Sequence, residues 1–259
     1  MSFGQAGFLA IGTFTFGHLS GWGVPWPLCA LAGGVIAAIF GILIGIPSLR
    51  LKGPYLAIVT MGFGVAVYQV LVNVPLLSGG RMGMTVAKLE PLFGLSRINY
   101  YFYLNLILCV FFILLTYNIV SSYMGRAFIA IRDNDIAAEV LGVNLTRYKL
   151  LAFAISSFYV GVQGGLYALM LGYLEANMFT WMETIGFLVA VIVGGLAMVN
   201  GSIMGAAFVI LVPHLFSAYK ELVPVVFGVV IVIILIFVPQ GLAGRIFKIR
   251  LYFRNWPFR

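Results

Sequence analysis

Charge is what this chain has least of. Of its 259 residues, 15 are lysine or arginine and 7 are aspartate or glutamate, 8% in all, where a soluble globular domain carries about 25%. That scarcity excludes an ordinary soluble protein. Cysteine is nearly absent too: Cys29 and Cys109 both lie in apolar runs, give no metal-site spacing and read as small packing hydrophobes. The two histidines, His18 and His214, stand far apart without a ligand-spaced partner and read as interfacial or packing residues. No Ser/His/Asp or H-E-x-x-H arrangement occurs, so no hydrolytic centre is expected. Nor is there a G-x-x-x-x-G-K-[ST] run, so the chain has no P-loop of its own for ATP. Deep intramembrane carboxylates, the usual proton relays of pumps, are missing as well: Glu175, Glu183 and Glu221 all fall at the ends of apolar runs. No enzyme is expected, and no cofactor, metal or nucleic acid bound by this chain.

What the chain has is hydrocarbon. It is 63% hydrophobic with a mean hydropathy of +1.10. Its apolar runs have the length of about 17–25 residues that marks a transmembrane helix, and the alternating strands of a membrane barrel are absent. The expected fold is an all-α polytopic membrane protein, a bundle of about eight transmembrane helices, some short or broken. Candidate spans are 3–19, 27–46, 54–74, 100–120, 150–173, 185–199, 201–217 and 222–239. The pair meeting at Asn200-Gly201 is short. It reads either as two tilted spans or as a re-entrant hairpin buried in protein. Residues 1–259 form one transmembrane domain, with no soluble part large enough for a separate core. No signal peptide is read at Met1-Ser2, which lacks a basic leader.

Four pairs have the small-xxx-small spacing that lets helix backbones approach in lipid: Gly17 with Gly21, Gly41 with Gly45, Gly161 with Gly165, and Gly201 with Gly205. Orientation follows from lysine and arginine in the loops. Arg50 and Lys52, the segment 124–149 and the basic tail 240–259 all fall on one side of the span count, which makes that side cytoplasmic. The tail carries Arg245, Lys248, Arg250, Arg254 and Arg259 among aromatic residues and is expected along the headgroups. One loop dissents, since residues 75–99 hold Arg81, Lys88 and Arg97 yet fall on the outer side.

The segment 124–149 stands out. Within it Arg126, Arg132, Asp133, Asp135, Glu139, Arg147 and Lys149 are seven of the chain's 22 charged residues. A charge at the bilayer centre costs about 2.5–3.5 kcal/mol on insertion scales, so the segment lies outside the membrane. It contains no cluster of Gly, Ser or Pro that would make it a slack linker. It reads as a folded helical element, with Asp133 or Asn134 capping its start, Ala137 and Ala138 allowing close approach, and Gly142 ending it. Taken by itself, the pattern favours an amphipathic surface helix that links two spans.

These residues carry a resemblance. RDNDIAAEVLGVNLTRYKLLAFAISS is similar to the cytoplasmic loop of permease subunits in bacterial ABC importers for branched-chain amino acids, and more to the M type than the H type. SFGQAGFLAIGTF at 2–14, LRLKGPYLAIVTMGF at 49–63 and GGLAMVNGSIMGAA at 194–207 resemble three further family blocks in the same order. The family has one or two helices before the first block, and here Met1 falls directly in front of it. Ala197 and Ser202 stand where the family often has Gly and Pro. Arg81 takes a place often small, polar or acidic.

The resemblance implies a permease subunit forming half of a translocation pathway. Its implied partners are a second, H-type permease subunit, two ATPase subunits that use ATP and Mg, and a periplasmic or lipid-anchored substrate-binding protein. It implies an inner-membrane protein in contact with lipid, its C-terminus cytoplasmic. Importer permeases share an E-A-A-x-x-x-G loop that docks into an ATPase cleft. Here Ala137, Ala138 and Gly142 keep that spacing with Ile136 in place of Glu, and Arg132, Asp133, Asn134 and Glu139 flank it as rim contacts or caps. For the substrate path, Gly4, Gln5 and Gly7 and the Gly194, Gly195, Gly201 group are candidates for unwound backbone that meets a carboxylate. Thr60 and Gln69, with Asn73, are candidates for polar lining, or equally for interhelical hydrogen bonds. Urea, short amides or other amino acids remain alternative cargoes. A stand-alone secondary carrier and a non-transporting scaffold remain alternative functions.

Overall fold

A computed structural model describes residues 3–49, 51, 54–86, 96–215, 225, 228, 229, 232, 241 and 243–245. Two compact units divide at Met182. The first begins with three apolar helices: α1 (Gln5–Gly21), α2 (Trp26–Ser48) and α3 (Pro54–Asn73). A single turn, α4 (Pro75–Ser78), leads through a 3₁₀ turn at Gly80–Met82 to a two-residue strand, β1 (Met84–Thr85). Then come α5 (Arg97–Ser121), α6 (Tyr123–Asp133), α7 (Asp135–Val140) and the long α8 (Leu145–Leu171). Strand β2 (Tyr173–Leu174) and a 3₁₀ turn at Ala176–Met178 follow. Helix α9 (Trp181–Gly194) leads into the second unit, which holds α10 (Val199–Leu215). Among the described residues five helical stretches are long and apolar enough to cross a membrane: Trp26–Ser48, Tyr55–Asn73, Arg97–Ser121, Leu145–Leu171 and Ala176–Gly194. The 17-residue α1 and α10 are shorter. The expected span 222–239 lies outside the described residues apart from four isolated positions.

The core of the first unit is α1, α2 and α8, and it is built small side inward. On α2 the buried positions are Cys29, Ala30, Gly33, Gly34, Ala37, Gly41, Gly45 and Ser48. Its Leu28, Leu31, Val35, Ile39, Leu43 and Ile46 are exposed. In water this would be inverted; in lipid, tails are as apolar as leucine, so helices gain from close backbone contact instead. Helix α8 answers with Ser157, Gly161, Gly164 and Gly165. A Cβ on Gly161 would stand 2.6 Å from the Ala37 Cβ and 2.7 Å from the Gly33 carbonyl oxygen, and one on Gly12 of α1 would collide with the Gly161 backbone. Thr13 adds a polar tie inside the seam, its Oγ1 lying 2.8 Å from the Leu9 oxygen and 3.0 Å from that of Gly164 on α8. Of the spaced pairs, Gly41 and Gly45 face α8, and Gly161 and Gly165 face α2 and α1. The Gly17–Gly21 pair is corrected: Gly17 meets Met84 and Leu174, but Gly21 has nothing near it, because α1 ends there.

Contacts fix the helix directions. Along α8, α1 runs parallel (Gly12 by Gly161, Phe16 by Gly165) and α2 antiparallel (Ala30 by Gly165, Gly45 by Leu150). The end of α2 therefore lies at the same end of the unit as α7 and the start of α8. At the opposite end β1 pairs antiparallel with β2, Met84 opposite Leu174 and Thr85 opposite Tyr173. The dissenting basic loop thus starts at the end away from α7, in agreement with the span count; Lys88 lies outside the described residues.

In the second unit the break between α9 and α10 falls at Gly195–Met198. This corrects the expected turn at Asn200-Gly201, which lies in the first turn of α10. The chain reverses through Gly195 at φ 118° and Ala197 at φ 62°.

Candidate functional site

Helix α5 ends sharply at Ser122, whose hydroxyl donates to the Ile119 oxygen at 2.6 Å. Buried Gly125 lets α6 fold back against the carbonyls of Ile119 and Val120. The charged segment is then two helices rather than one. They break at Asn134, which has extended backbone (φ −159°, ψ 109°). Asn134 is the cap: its Oδ1 accepts from the amides of Ile136 at 3.0 Å and Ala137 at 3.1 Å, meeting two of the donors a helix start leaves free. Asp133 is not a cap; it pairs with the adjacent Arg132 at 2.8 Å, both well exposed.

The far end closes on Gly142. The Gly142 amide donates to Glu139 at 2.9 Å and the Val143 amide to Ala138 at 3.0 Å, the paired bonds of a Schellman motif. Gly142 has φ +83°, and among the described residues nothing lies within 4 Å of a would-be Cβ, so a side chain there meets backbone strain. Left-handed backbone costs a non-glycine residue about 1–3 kcal/mol. Gly142→Val is expected to destabilise α7 by that amount while Gly142→Asn is nearly neutral. Amide exchange of residues 136–143 checks this, since the motif predicts faster exchange in the valine variant alone.

Six residues of α7 present a lopsided surface. Ala138 is 1% exposed and faces its own chain, so it does not offer a methyl outward as the sequence led us to expect. Outward go Ile136 at 71%, Val140 at 82% and Leu141 at 80%, with Ala137 and Glu139 also exposed. Three apolar side chains thus stand exposed on a segment otherwise rich in charge. Sequence reasoning named Ile136 only as a departure from the loop's Glu and missed Val140 and Leu141. The available signal was the Ile136 substitution itself, an apolar residue at a polar position of a capped helix.

Two contacts hold the pair of helices to α8. The rings of Phe128 and Tyr148 meet edge to face at 5.9 Å. Lys149 Nζ donates to Asp135 Oδ2 at 2.7 Å.

The candidate pathway residues separate into groups. Gly4 and Gly7 meet α3 at the Thr60 oxygen, Phe63 and Gly64, and the Phe3 amide donates to Thr60 Oγ1 at 2.8 Å. Gly4, Gly7 and Thr60 are thus brought together at an interhelical contact. The backbone there is not unwound, for Phe8 bonds back to Gly4 at 3.1 Å in regular helical fashion; the glycines admit α3 closely and need no break. Among the described residues Gln5 Oε1 is buried without a hydrogen-bond partner, and the same holds of Tyr159 Oη on α8. Gln69 is exposed and takes a bond from Asn73 on its own helix. In the second unit Gly194, Gly195 and Gly201 do converge, joined by Gly205 and Gly241. Among the described residues no group of His, Cys, Asp or Glu has metal-ligand geometry.

Residues 1–239 match the family described as branched-chain amino acid transport system / permease component. The chain belongs to this family. It is 32% identical over 265 residues to the high-affinity branched-chain amino acid transport system permease protein LivM of Salmonella typhimurium, covering 92% of this chain and 62% of that protein. To the probable branched-chain amino acid transport permease protein LivM of Methanocaldococcus jannaschii it is 25% identical over 228 residues, 80% of this chain and 66% of the relative. The permease protein LivH of Salmonella typhimurium matches over 136 residues at 31% identity, covering 51% of this chain and 43% of that protein. The M-type resemblance therefore extends across the chain where the H-type one covers half. This family member spans less than two thirds of the length of the LivM proteins. No solved structure matches it significantly.

Proposed function

We propose that this chain is the M-type permease subunit of an ATP-driven importer for branched-chain amino acids, multi-pass in the bacterial inner membrane. It is not an enzyme; separate ATPase subunits hydrolyse ATP with Mg and grip α7. The observation that carries the reading is the outward face of Ile136, Val140 and Leu141 in a member of this permease family. Such a face is useless to lipid if it lies beside Arg132, Asp133 and Glu139, whereas it suits the apolar wall of a cleft on a soluble partner. An H-type permease completes the pathway, and a periplasmic or lipid-anchored protein delivers the cargo. The basic tail 240–259, expected along the cytoplasmic headgroups, lies outside the described residues apart from 241 and 243–245. Branched side chains need only apolar lining; the zwitterion needs polar partners, and Gln5 Oε1, buried without a donor among the described residues, is suited to the ammonium.

Reconstitution of the permease with its H-type partner, both ATPases and the binding protein tests this. Leucine, isoleucine or valine uptake is expected to depend on ATP and on the binding protein. Uptake by the chain without ATPases would instead make it a secondary carrier, and preference for urea or short amides would replace the cargo.

A further inference from the structure

We infer that the Asp135–Lys149 pair is a positioning strut that makes α7 and α8 move as one piece, so that force on α7 reaches the small-residue seam with α1 and α2. The inference rests on the reading of α7 as the ATPase contact, and adds how that contact acts on the membrane core.

Three observations converge. The pair joins residues 14 apart in sequence, one at the start of α7 and one in the first turns of α8, at 2.7 Å. Both side chains are only 30% exposed, whereas the neighbouring Arg132–Asp133 pair is 55% and 62% exposed. An ion pair shielded from water keeps more of its attraction than one in solvent. The loop between the helices, residues 141–144, ends in caps on both sides: Gly142 closes α7 and Asn144 Oδ1 accepts from Arg147 at 2.9 Å to open α8. Caps fix each helix end but leave the angle between α7 and α8 to whatever spans it. The strut spans it on one side, and the Phe128–Tyr148 contact holds α6 on the next residue of α8.

Past Lys149, α8 enters the core. Leu150 meets Gly45, Phe153 and Ser157 meet Gly41, and Gly161 meets Gly12, Gly33 and Ala37. A tilt imposed at residue 149 therefore shifts all three core helices, because at Gly12, Gly33 and Gly161 their backbones approach one another directly. Without the strut, α7 can rotate about residues 141–144 and the pull is lost in the loop. Neither partner touches cargo or nucleotide on this account.

The test uses the assembled importer in proteoliposomes, measuring ATP hydrolysis and uptake in the same vesicles. Asp135→Asn and Lys149→Met are each expected to assemble fully and hydrolyse ATP, while uptake per ATP falls about fivefold, the low end of ordinary coupling factors. The charge swap, Asp135→Lys with Lys149→Asp, is expected to restore most of it, and Lys149→Arg to retain it. Unchanged uptake per ATP in both single variants would overturn the strut. So would a swap no better than the singles, which would make each charge a separate contact. Should the singles not accumulate, the swap and Lys149→Arg still decide, because both keep a pair across the same gap. Failure of the unaltered permease to hold the ATPases would instead remove the docking reading, a different result.

Discussion

Gly161→Leu is expected to prevent stable folding of the first unit. At Gly161 a single Cβ already meets Ala37 at 2.6 Å, the Gly33 oxygen at 2.7 Å and the Gly34 Cα at 2.9 Å. Two of those three atoms are backbone, which cannot turn aside as a flexible side chain does. Overpacking a side-chain core costs about 1–3 kcal/mol, and here three helices must separate together. A loss of 3 kcal/mol corresponds to about 6–12 °C in melting midpoint for a chain of this size. Gly62→Ala is the comparison, since a Cβ at Gly62 meets nothing among the described residues, and its midpoint is expected within about 2 °C of the parent. Melting in detergent and the fraction of monodisperse protein read both. Equal stability of the two variants would mean the α1–α2–α8 seam is not the core.

The second large effect lies outside the membrane. Val140→Asp with Leu141→Asp is expected to lower ATPase affinity about a hundredfold or more. Burying one such side chain contributes about 1.5–3 kcal/mol, and each 1.4 kcal/mol is a decade in affinity. Both residues are about four-fifths exposed in the permease alone, so its own fold and abundance in the membrane are expected to hold. Ala138→Trp reaches the same loss by another route. Its side chain would enter a site already 99% covered by the chain itself, so α7 leaves its seat and the permease loses stability too. The two kinds of variant are separable by melting midpoint alone. Normal co-purification of the aspartate variant would make α6 and α7 a connector.

Much of this was legible in the residues. Scarce charge and long apolar runs gave the membrane class directly, and seven charges within 124–149 marked the one large excursion before the tail. Asn134 and Gly142 were readable because caps are local: one side-chain oxygen and one positive φ decide them. What could not be read was which way each residue of a cap-bounded helix points. Ala138 and Val140 are two residues apart, and only tertiary packing decides that one is covered and the other bare. Gly4 and Gly7 looked like an unwound opening because glycine serves both breaks and close packing, and sequence alone does not separate the two. The break at Gly195–Met198 was displaced by a few residues because Ala197 adopts a left-handed φ that a non-glycine residue rarely takes. The β1–β2 pairing joins strands of two residues some 90 positions apart, too short for any alternating pattern to announce.

Residue-specific photocrosslinking in membranes that contain the whole importer tests the central claim most directly. With the crosslinker at Val140, the account predicts a covalent adduct identified by mass as the ATPase subunit, and with it at Met82, at the opposite end of the first unit and 87% exposed, no such adduct. Capture of the ATPase from position 82, or none from position 140, would contradict it.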